Sequence, residues 1–195
     1  MLRTARVERN TKETQICLEL NLDGKGTFEG TTGIGFFDHM LEGFARHGFF
    51  DLRLKMQGDL QVDGHHTIED LGIVLGTALK EALGDKAGIR RYGSRILPMD
   101  ETLVLVAVDL CGRPYLAFQA EFGREKVGDM ETEMVREFFY ALSYSCGMNL
   151  HIKVLDGVNC HHIIEAMFKA VAKALDEAVS LDERISGVLS TKGSL

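Results

Sequence analysis

The sequence predicts an α+β protein made of a duplicated ββαβα unit, with two mixed, antiparallel-rich sheets and helices packed between them. Three observations lead there. Stretches that alternate with a period of two exchange places along the chain with stretches of helical spacing. The same order of stretches runs through residues 1–90 and again through 91–195. One motif, HHxxE, opens a predicted helix in each half, as His65-His66-Thr67-Ile68-Glu69 and as His161-His162-Ile163-Ile164-Glu165. No Pro-, Ser- or Gly-rich linker separates the halves, so residues 1–195 are expected to form a single domain.

In the first half, Ile16, Leu18, Leu20 and Leu22 alternate with Cys17, Glu19 and Asn21, the pattern of a half-buried strand. Asp23-Gly24 predicts a hairpin turn, because both residues tolerate positive φ. Residues 36–47 have helical spacing, with Phe37, Met40, Leu41 and Phe44 on one side. Leu52, Leu54 and Met56 then alternate with Arg53 and Lys55 as a short strand. Over residues 65–83, Ile68, Leu71, Leu75, Ala78, Leu79 and Leu83 make the apolar stripe of a second helix.

The second half follows the same plan. Thr102–Leu110 is a near-continuous apolar run that predicts a well-buried strand. Cys111-Gly112 is the expected turn and Arg113–Ala120 its expected hairpin partner. Met130–Ser145 reads as a helix, Leu150–Leu155 as a strand and His161–Ala178 as a helix, before a polar tail, Ser190-Thr191-Lys192-Gly193-Ser194-Leu195. Leu52-Arg53-Leu54-Lys55 overlays Leu150-His151-Ile152-Lys153 at an offset of 98 residues, and the HHxxE motifs overlay at 96. Self-similarity in fixed order is the mark of duplication.

Composition narrows the function. Lys and Arg number 22 against 29 Asp and Glu, a formal charge of −7, which disfavours a general nucleic-acid or membrane-surface binder. The N-terminal Met1-Leu2-Arg3-Thr4-Ala5-Arg6 has no apolar stretch behind it, so no signal peptide is expected. No apolar run approaches bilayer length. Cys17, Cys111, Cys146 and Cys160 show no CxxC spacing and are expected to be reduced packing thiols of a cytoplasmic protein.

The chemistry lies in the histidines. Seven are present and four form the two HH pairs. Helical residues three or four apart share a face, so His66 can converge with Glu69 and His162 with Glu165. Adjacent histidines stand about 100° apart around the axis, so each pair points to two metal positions, or to one metal shared with another subunit. Imidazole and carboxylate without thiolate suit Mn²⁺, Fe²⁺ or Zn²⁺ in a catalytic site better than a structural zinc cage. His39 is a further candidate, because the 98-residue offset places it over Glu137, itself a possible ligand. His47 lies roughly 80° off the face of His39 and is expected to have a separate role. Arg90, Arg91, Arg113, Lys169 and the Ser190–Gly193 tail are the candidate phosphate-binding groups. No Walker loop, GxGxxG or GxSxG is present.

Taken together, these motifs resemble imidazoleglycerol-phosphate dehydratase, a family of histidine biosynthesis. The resemblance runs from Arg9-x-Thr11-x-Glu13-Thr14 to the C-terminus. It includes Gly35-Phe36-Phe37-Asp38-His39-Met40-Leu41 with His47, Asp63-x-His65-His66-x-x-Glu69-Asp70, Met99-Asp100-Glu101 and Asp109-Leu110-x-Gly112-Arg113-Pro114-Tyr115. It continues through Leu150-His151-Ile152, His161-His162-Ile163-Ile164-Glu165-Ala166 and Ser190-Thr191-Lys192-Gly193. The length matches the monofunctional form, without the fused phosphatase domain of some relatives.

The resemblance implies a ribosomal-protein-like fold, two Mn²⁺ per active site and a 24-subunit homo-oligomer whose sites are shared between subunits. His39, His66, Glu69 and His161 would hold one ion, and His65, His162 and Glu165 the other. Glu137 stands where the family often has a His ligand, and can ligate through oxygen. Arg91, Arg113, Lys169, His47, Ser190, Thr191 and Lys192 would hold the substrate phosphate, with Glu13, His39, His65, Glu69 and His161 also lining the substrate site. Glu13, Glu69 and Glu165 are the implied catalytic carboxylates, Glu13 for proton transfer. The implied reaction is loss of water from imidazoleglycerol phosphate to give imidazoleacetol phosphate. Two other classes also fit parts of the pattern: a di-metal phosphate-ester hydrolase, and a non-enzymatic metal- or RNA-binding module. The acidic balance and the lack of interleaved basic and aromatic residues disfavour RNA.

Overall fold

The computed structural model describes residues 3–195; Met1 and Leu2, at the head of the charged N-terminal stretch, lie outside them. Six elements make the first half: β1 (Thr4–Asn10), β2 (Thr14–Asn21), β3 (Phe28–Glu29), α1 (Gly35–Gly48), β4 (Asp51–Gly58) and α2 (His65–Leu83). The second half has β5 (Tyr92–Met99), β6 (Thr102–Asp109), β7 (Tyr115–Gln119), a small ribbon of β8 (Lys126–Val127) and β9 (Met130–Glu131), α3 (Met134–Cys146), β10 (Asn149–Asp156) and α4 (Cys160–Val179). The two four-stranded sheets have the orders β1-β2-β4-β3 and β5-β6-β10-β7, one topology used twice. The duplicated α+β architecture is as the sequence predicts.

Two expected hairpins are not formed. Asp23-Gly24 does turn the chain, but β3 pairs parallel with β4 and not with β2. Likewise Tyr115–Gln119 pairs parallel with β10, not back onto β6. The cause is the same in both halves. The strand that returns after the first helix is eight residues long and takes the free edge of the central strand, from Thr14↔Gly58 to Asn21↔Asp51 and from Asn149↔Asp109 onward. Its alternating apolar residues, Leu52 and Leu54 or Leu150 and Ile152, bury their face under the helices, which a two- or five-residue strand cannot match.

The edge strands β1 and β5 carry weak patterns. Only Ala5 and Val7 are apolar in β1, and β5 turns Gly93 inward. The helix predicted to begin at Met130 begins at Met134, because Met130–Glu131 pairs with Lys126–Val127.

The helices fill the space between the sheets and cross-pair. α2 covers β1 and β2, α4 covers β5 and β6, and the first helix of each half packs on the second helix of the other: α1 on α4 and α3 on α2. Phe37 of α1, Phe138 and Phe139 of α3 and Phe168 of α4 meet at the centre, fully buried. Phe138 stacks on Phe168 at 5.2 Å, and Phe37 meets Phe138 edge-on at 5.2 Å. Each such side chain contributes about 2–3 kcal/mol of burial, so this cluster holds the halves together.

The α1 N-terminus has no capping side chain of its own. Asp129, from the second half, supplies one instead, accepting from Gly35 N at 2.7 Å and Phe36 N at 3.1 Å. A carboxylate there satisfies two N–H groups that the helix leaves without partners. The four cysteines are unpaired, and burial pushes the Cys146 thiol up to about 12, which makes it a packing group.

Candidate metal centre

Both HH pairs sit in the first turn of a helix. Asn159 caps α4 by accepting from His161 N at 3.0 Å, and Asp63 does the same for His65 N at 2.8 Å. These caps fix where each histidine leaves its helix axis.

Across the α1–α4 contact, His39 meets His161 and Glu165. One donor atom of each lies within 4.8 Å of the others. His161 Nε2 is 3.1 Å from Glu165 Oε2, His39 Nε2 is 3.7 Å from the same oxygen, and Lys169 Nζ donates to Oε1 at 2.6 Å. Phe36 lies edge-on to His161 at 5.1 Å and walls the group on one side. Glu165 is buried. Burial alone pushes its carboxyl up, but the Lys169 ammonium, with His39 and His161, outweighs it and holds the group below the usual range. A carboxylate and two imidazoles at this separation form a donor set of the kind that Mn²⁺, Fe²⁺ or Zn²⁺ takes. His47 has its pKa lowered by burial and then by the nearby Lys169 and Lys173 ammonium groups, so it stays neutral at pH 7.

In the first half, His65 Nε2 is 3.8 Å from Glu69 Oε2. By the repeat Glu137 of α3 corresponds to His39 of α1; in this chain it accepts from its neighbour Arg136 at 2.9 Å, and among the described residues it forms no three-donor group with His65 and Glu69. The helical pairing therefore differs from the expected His66–Glu69 and His162–Glu165. A spacing of four residues leaves side chains about 40° apart around the axis and a spacing of three about 60°, so the first histidine of each pair takes the glutamate.

The second histidines turn away. His66 holds Asp59 through Nδ1 at 3.0 Å and lies 3.7 Å from Glu13 through Nε2. His162 holds Glu101 through Nδ1 at 2.8 Å and lies 3.8 Å from Asp100 through Nε2. The hydrogen bond to Glu101 raises the His162 pKa and that to Asp59 raises the His66 pKa; Glu101 in turn is pushed down to about 2 by His162 and by the Asn159 N–H. The four residues His39, His66, Glu69 and His161, expected around one ion, are thus not gathered within one chain, nor are His65, His162 and Glu165.

Glu13 stands exposed in the β1–β2 turn. Thr11 Oγ1 accepts from Glu13 N at 3.0 Å and Thr14 N at 2.9 Å. Thr14 Oγ1 donates to buried Asp70, which also pairs with Arg9 at 2.9 Å. Removing Asp70 strands the Arg9 guanidinium, whose Nε already has no partner. The Arg9 side chain is 38% exposed. Water can therefore take over part of its solvation, and the loss is well below that of a fully buried pair. Asp70→Ala is expected to lower stability by about 2 kcal/mol in urea unfolding; a change under about 0.5 kcal/mol counts against this anchor.

The remaining phosphate candidates lie elsewhere. Arg91 makes a bidentate pair with Asp109 at 2.7 and 3.1 Å and donates to Leu189 O at 2.8 Å, which ties down the Ser190–Lys192 tail. Arg113 is exposed in the β6–β7 turn, and its carbonyl accepts from Asn149 at 2.6 Å. Arg90 faces Asp182 at 3.9 Å. Tyr92, Asp109, Asn149 and Tyr115 share one end of the second sheet, whereas Met99, Thr102 and Asp156, next to His162, share the other. An eight-residue strand separates these ends by roughly 23 Å. One chain therefore does not bring Arg91, Arg113, Thr191 or Lys192 to its own histidines, while His47 and Lys169 do lie beside them.

Asp59, Asp100 and Glu101 are not among the site residues that the sequence predicts. Their signal is positional: Glu101 occupies the β5–β6 turn as Glu13 occupies β1–β2.

The family model described as "Imidazoleglycerol-phosphate dehydratase" matches residues 32–175. A protein of that name from Lachnoclostridium phytofermentans is 68% identical over the full length of both chains, and one from Acetivibrio thermocellus 60%. The crystal structure of the dehydratase from Staphylococcus aureus superposes with a TM-score of 0.84 at 41% identity, covering 92% of this chain and 99% of that one. The duplicated fold, the paired HHxxE helices and these full-length matches agree, and the chain belongs to the imidazoleglycerol-phosphate dehydratase family.

Proposed function

We infer that this chain is a hydro-lyase that removes water from imidazoleglycerol phosphate to give imidazoleacetol phosphate, a step of histidine biosynthesis, using two Mn²⁺ per site in a cytoplasmic homo-oligomer. The metal reading is carried by the His39–His161–Glu165 group, whose three donor atoms lie within 4.8 Å of one another. These are hard or borderline donors, and one is a carboxylate kept anionic. The duplication suggests the second set, His65, Glu69 and Glu137. His66 and His162, which face away from their own glutamates, would complete these sets from neighbouring subunits. No helix among the described residues is long and apolar enough to cross a membrane.

Dehydration needs a proton off one carbon and a hydroxyl off its neighbour; the resulting enol then becomes the ketone of the product. The bound ions would draw electron density from the substrate imidazole and stabilise the charge that develops there. Glu13 is exposed, with its carboxylate 3.7 Å from His66 Nε2. It would take the carbon proton or return one to the departing hydroxyl. Lys169 keeps Glu165 ionised. Neutral His47 offers a hydrogen-bond donor to phosphate rather than a charge. Arg91 spends three of its N–H groups on Asp109 and Leu189 and keeps two for an anion, with Ser190, Thr191 and Lys192 held alongside. Because Arg91 and Arg113 lie at the far end of the sheet, they would serve the site of another subunit, and the 24-subunit shell is the assembly proposed.

Purified protein with Mn²⁺ and imidazoleglycerol phosphate should form the ketone product without releasing inorganic phosphate. Phosphate release instead would identify a di-metal hydrolase. Chelation should shift the assembly to smaller species in size-exclusion chromatography; a chain that stays fully assembled after complete metal removal would show that the ions do not link subunits.

A further inference from the structure

The two outward-facing histidines share a feature that their inward neighbours lack. His162 Nδ1 is 2.8 Å from Glu101 Oε2, and His66 Nδ1 is 3.0 Å from Asp59 Oδ2. Neither carboxylate belongs to the metal-ligand sets above. A carboxylate offers acceptors only, so each Nδ1 carries the hydrogen, and Nε2 is the nitrogen left to a metal ion when the ring is neutral. Among the described residues, His65 and His161 have no such Nδ1 partner.

Glu101 is itself held in place. Its Oε1 accepts from Asn159 N at 2.8 Å and Val158 N at 3.3 Å, in the residues that lead into α4. The turn between β5 and β6 is thereby tied to the N-terminus of the helix that carries His162. The Asp59 side chain is only 16% exposed and sits in the loop before α2. The two halves reach the same arrangement with carboxylates from different loops, a β5–β6 turn in one case and a β4–α2 loop in the other, so duplication alone did not supply it.

We propose that Glu101 and Asp59 are positioning residues that lock His162 and His66 in the tautomer and ring orientation in which Nε2 is free to bind a metal ion held mainly by another subunit. The proposal rests on the two-ion reading. Outer carboxylates of this kind fix ligand orientation and raise imidazole basicity, and their loss weakens metal binding by about 10–100-fold.

The test is Mn²⁺ binding to the assembled protein by chelator competition, with the Mn²⁺ electron paramagnetic resonance spectrum recorded at each stoichiometry. Unmodified protein should take up two Mn²⁺ per chain; failure to do so would defeat the two-ion reading, not this one. Glu101→Ala should weaken one of the two ions by about 10–100-fold and alter its spectrum, leaving the other unchanged, and Asp59→Ala should do the same to the other ion. Glu101→Gln keeps one acceptor oxygen, which can serve Asn159 N or His162 Nδ1 but not both, so it should fold normally and still weaken the same ion. Glu101→Asp should recover part of the affinity. Two ions that keep their affinity and spectra in folded Glu101→Gln and Glu101→Ala would overturn the proposal, as would an equal loss at both ions.

Discussion

Glu165→Gln is expected to lower kcat/KM by on the order of 10³-fold while leaving the protein folded, because several kcal/mol of charge stabilisation are lost with the anionic ligand. The substitution keeps shape and removes one charge. Glu165 Oε2 is the oxygen that both His39 and His161 approach, and Oε1 is the partner of Lys169. Gln leaves a weak neutral donor at the centre of the group and an ammonium with no counter-charge beside it.

The stability cost is smaller. The Lys169 side chain is 23% exposed and can turn its ammonium to water. The loss of the pair is therefore worth about 1 kcal/mol. The sign of its pH dependence follows from the lowered carboxyl pKa. The contribution is present above the unfolded value of about 4.3 and disappears as the pH falls through the lower folded value, so the variant and the parent should converge in stability in acid. Steady-state kinetics, Mn²⁺ content and urea unfolding measured together separate the two effects. Near-normal turnover with full metal content would remove Glu165 from the site.

Spacing decides how much of the molecule is legible in the sequence. Long periodic segments are legible: the 65–83 helix has the bounds expected, and the sheets' central strands follow from Ile16–Leu22 and Thr102–Leu110. Strand partners are not legible, because Arg113–Ala120 carries no mark that says whether β6 or β10 will accept it. That choice is made by burial under α3 and α4, which involves residues far along the chain.

The site divides in the same way. HHxxE identifies the elements and most donor types, yet three- and four-residue spacings both satisfy a helix-face argument, and only the side-chain directions select His161 over His162 for Glu165. Glu101 and Asp59 leave no periodic trace, since the one is a turn carboxylate 61 residues from its histidine and the other lies in the loop before α2, outside the helix whose spacing is read; only the place of Glu101, in the turn equivalent to that of Glu13, points to it. His39 is reached through the repeat, and the structure shows why the repeat is informative: α1 lies on α4 as α3 lies on α2.

The α2–α3 half of that cross-pairing depends on two glycines, and substituting one of them should have a large effect on stability. Gly72 and Gly76 are one turn apart on α2 and face α3. A Cβ at Gly76 would stand 2.6 Å from Leu142 O and 2.8 Å from Ser145 Cβ; at Gly72 it would stand 2.8 Å from Phe138 O. Those neighbours are largely backbone and cannot rotate away. Gly76→Val is therefore expected to force the helices apart and cost about 3 kcal/mol, several times the helix-propensity gain of under about 1 kcal/mol from replacing a glycine. The displaced helix carries His65 and Glu69 at one end and its partner carries Glu137, so Mn²⁺ affinity should fall along with the unfolding midpoint. Gly43 supplies the control. It too lies inside a helix, α1, but nothing stands within 4 Å of a Cβ built there. Gly43→Ala should raise stability by about 0.5–1 kcal/mol through the lost freedom of the unfolded chain. Opposite signs in urea unfolding for two helical glycines would locate the cost in the α2–α3 contact, and a stability at Gly76→Val equal to the parent's would show that the contact yields.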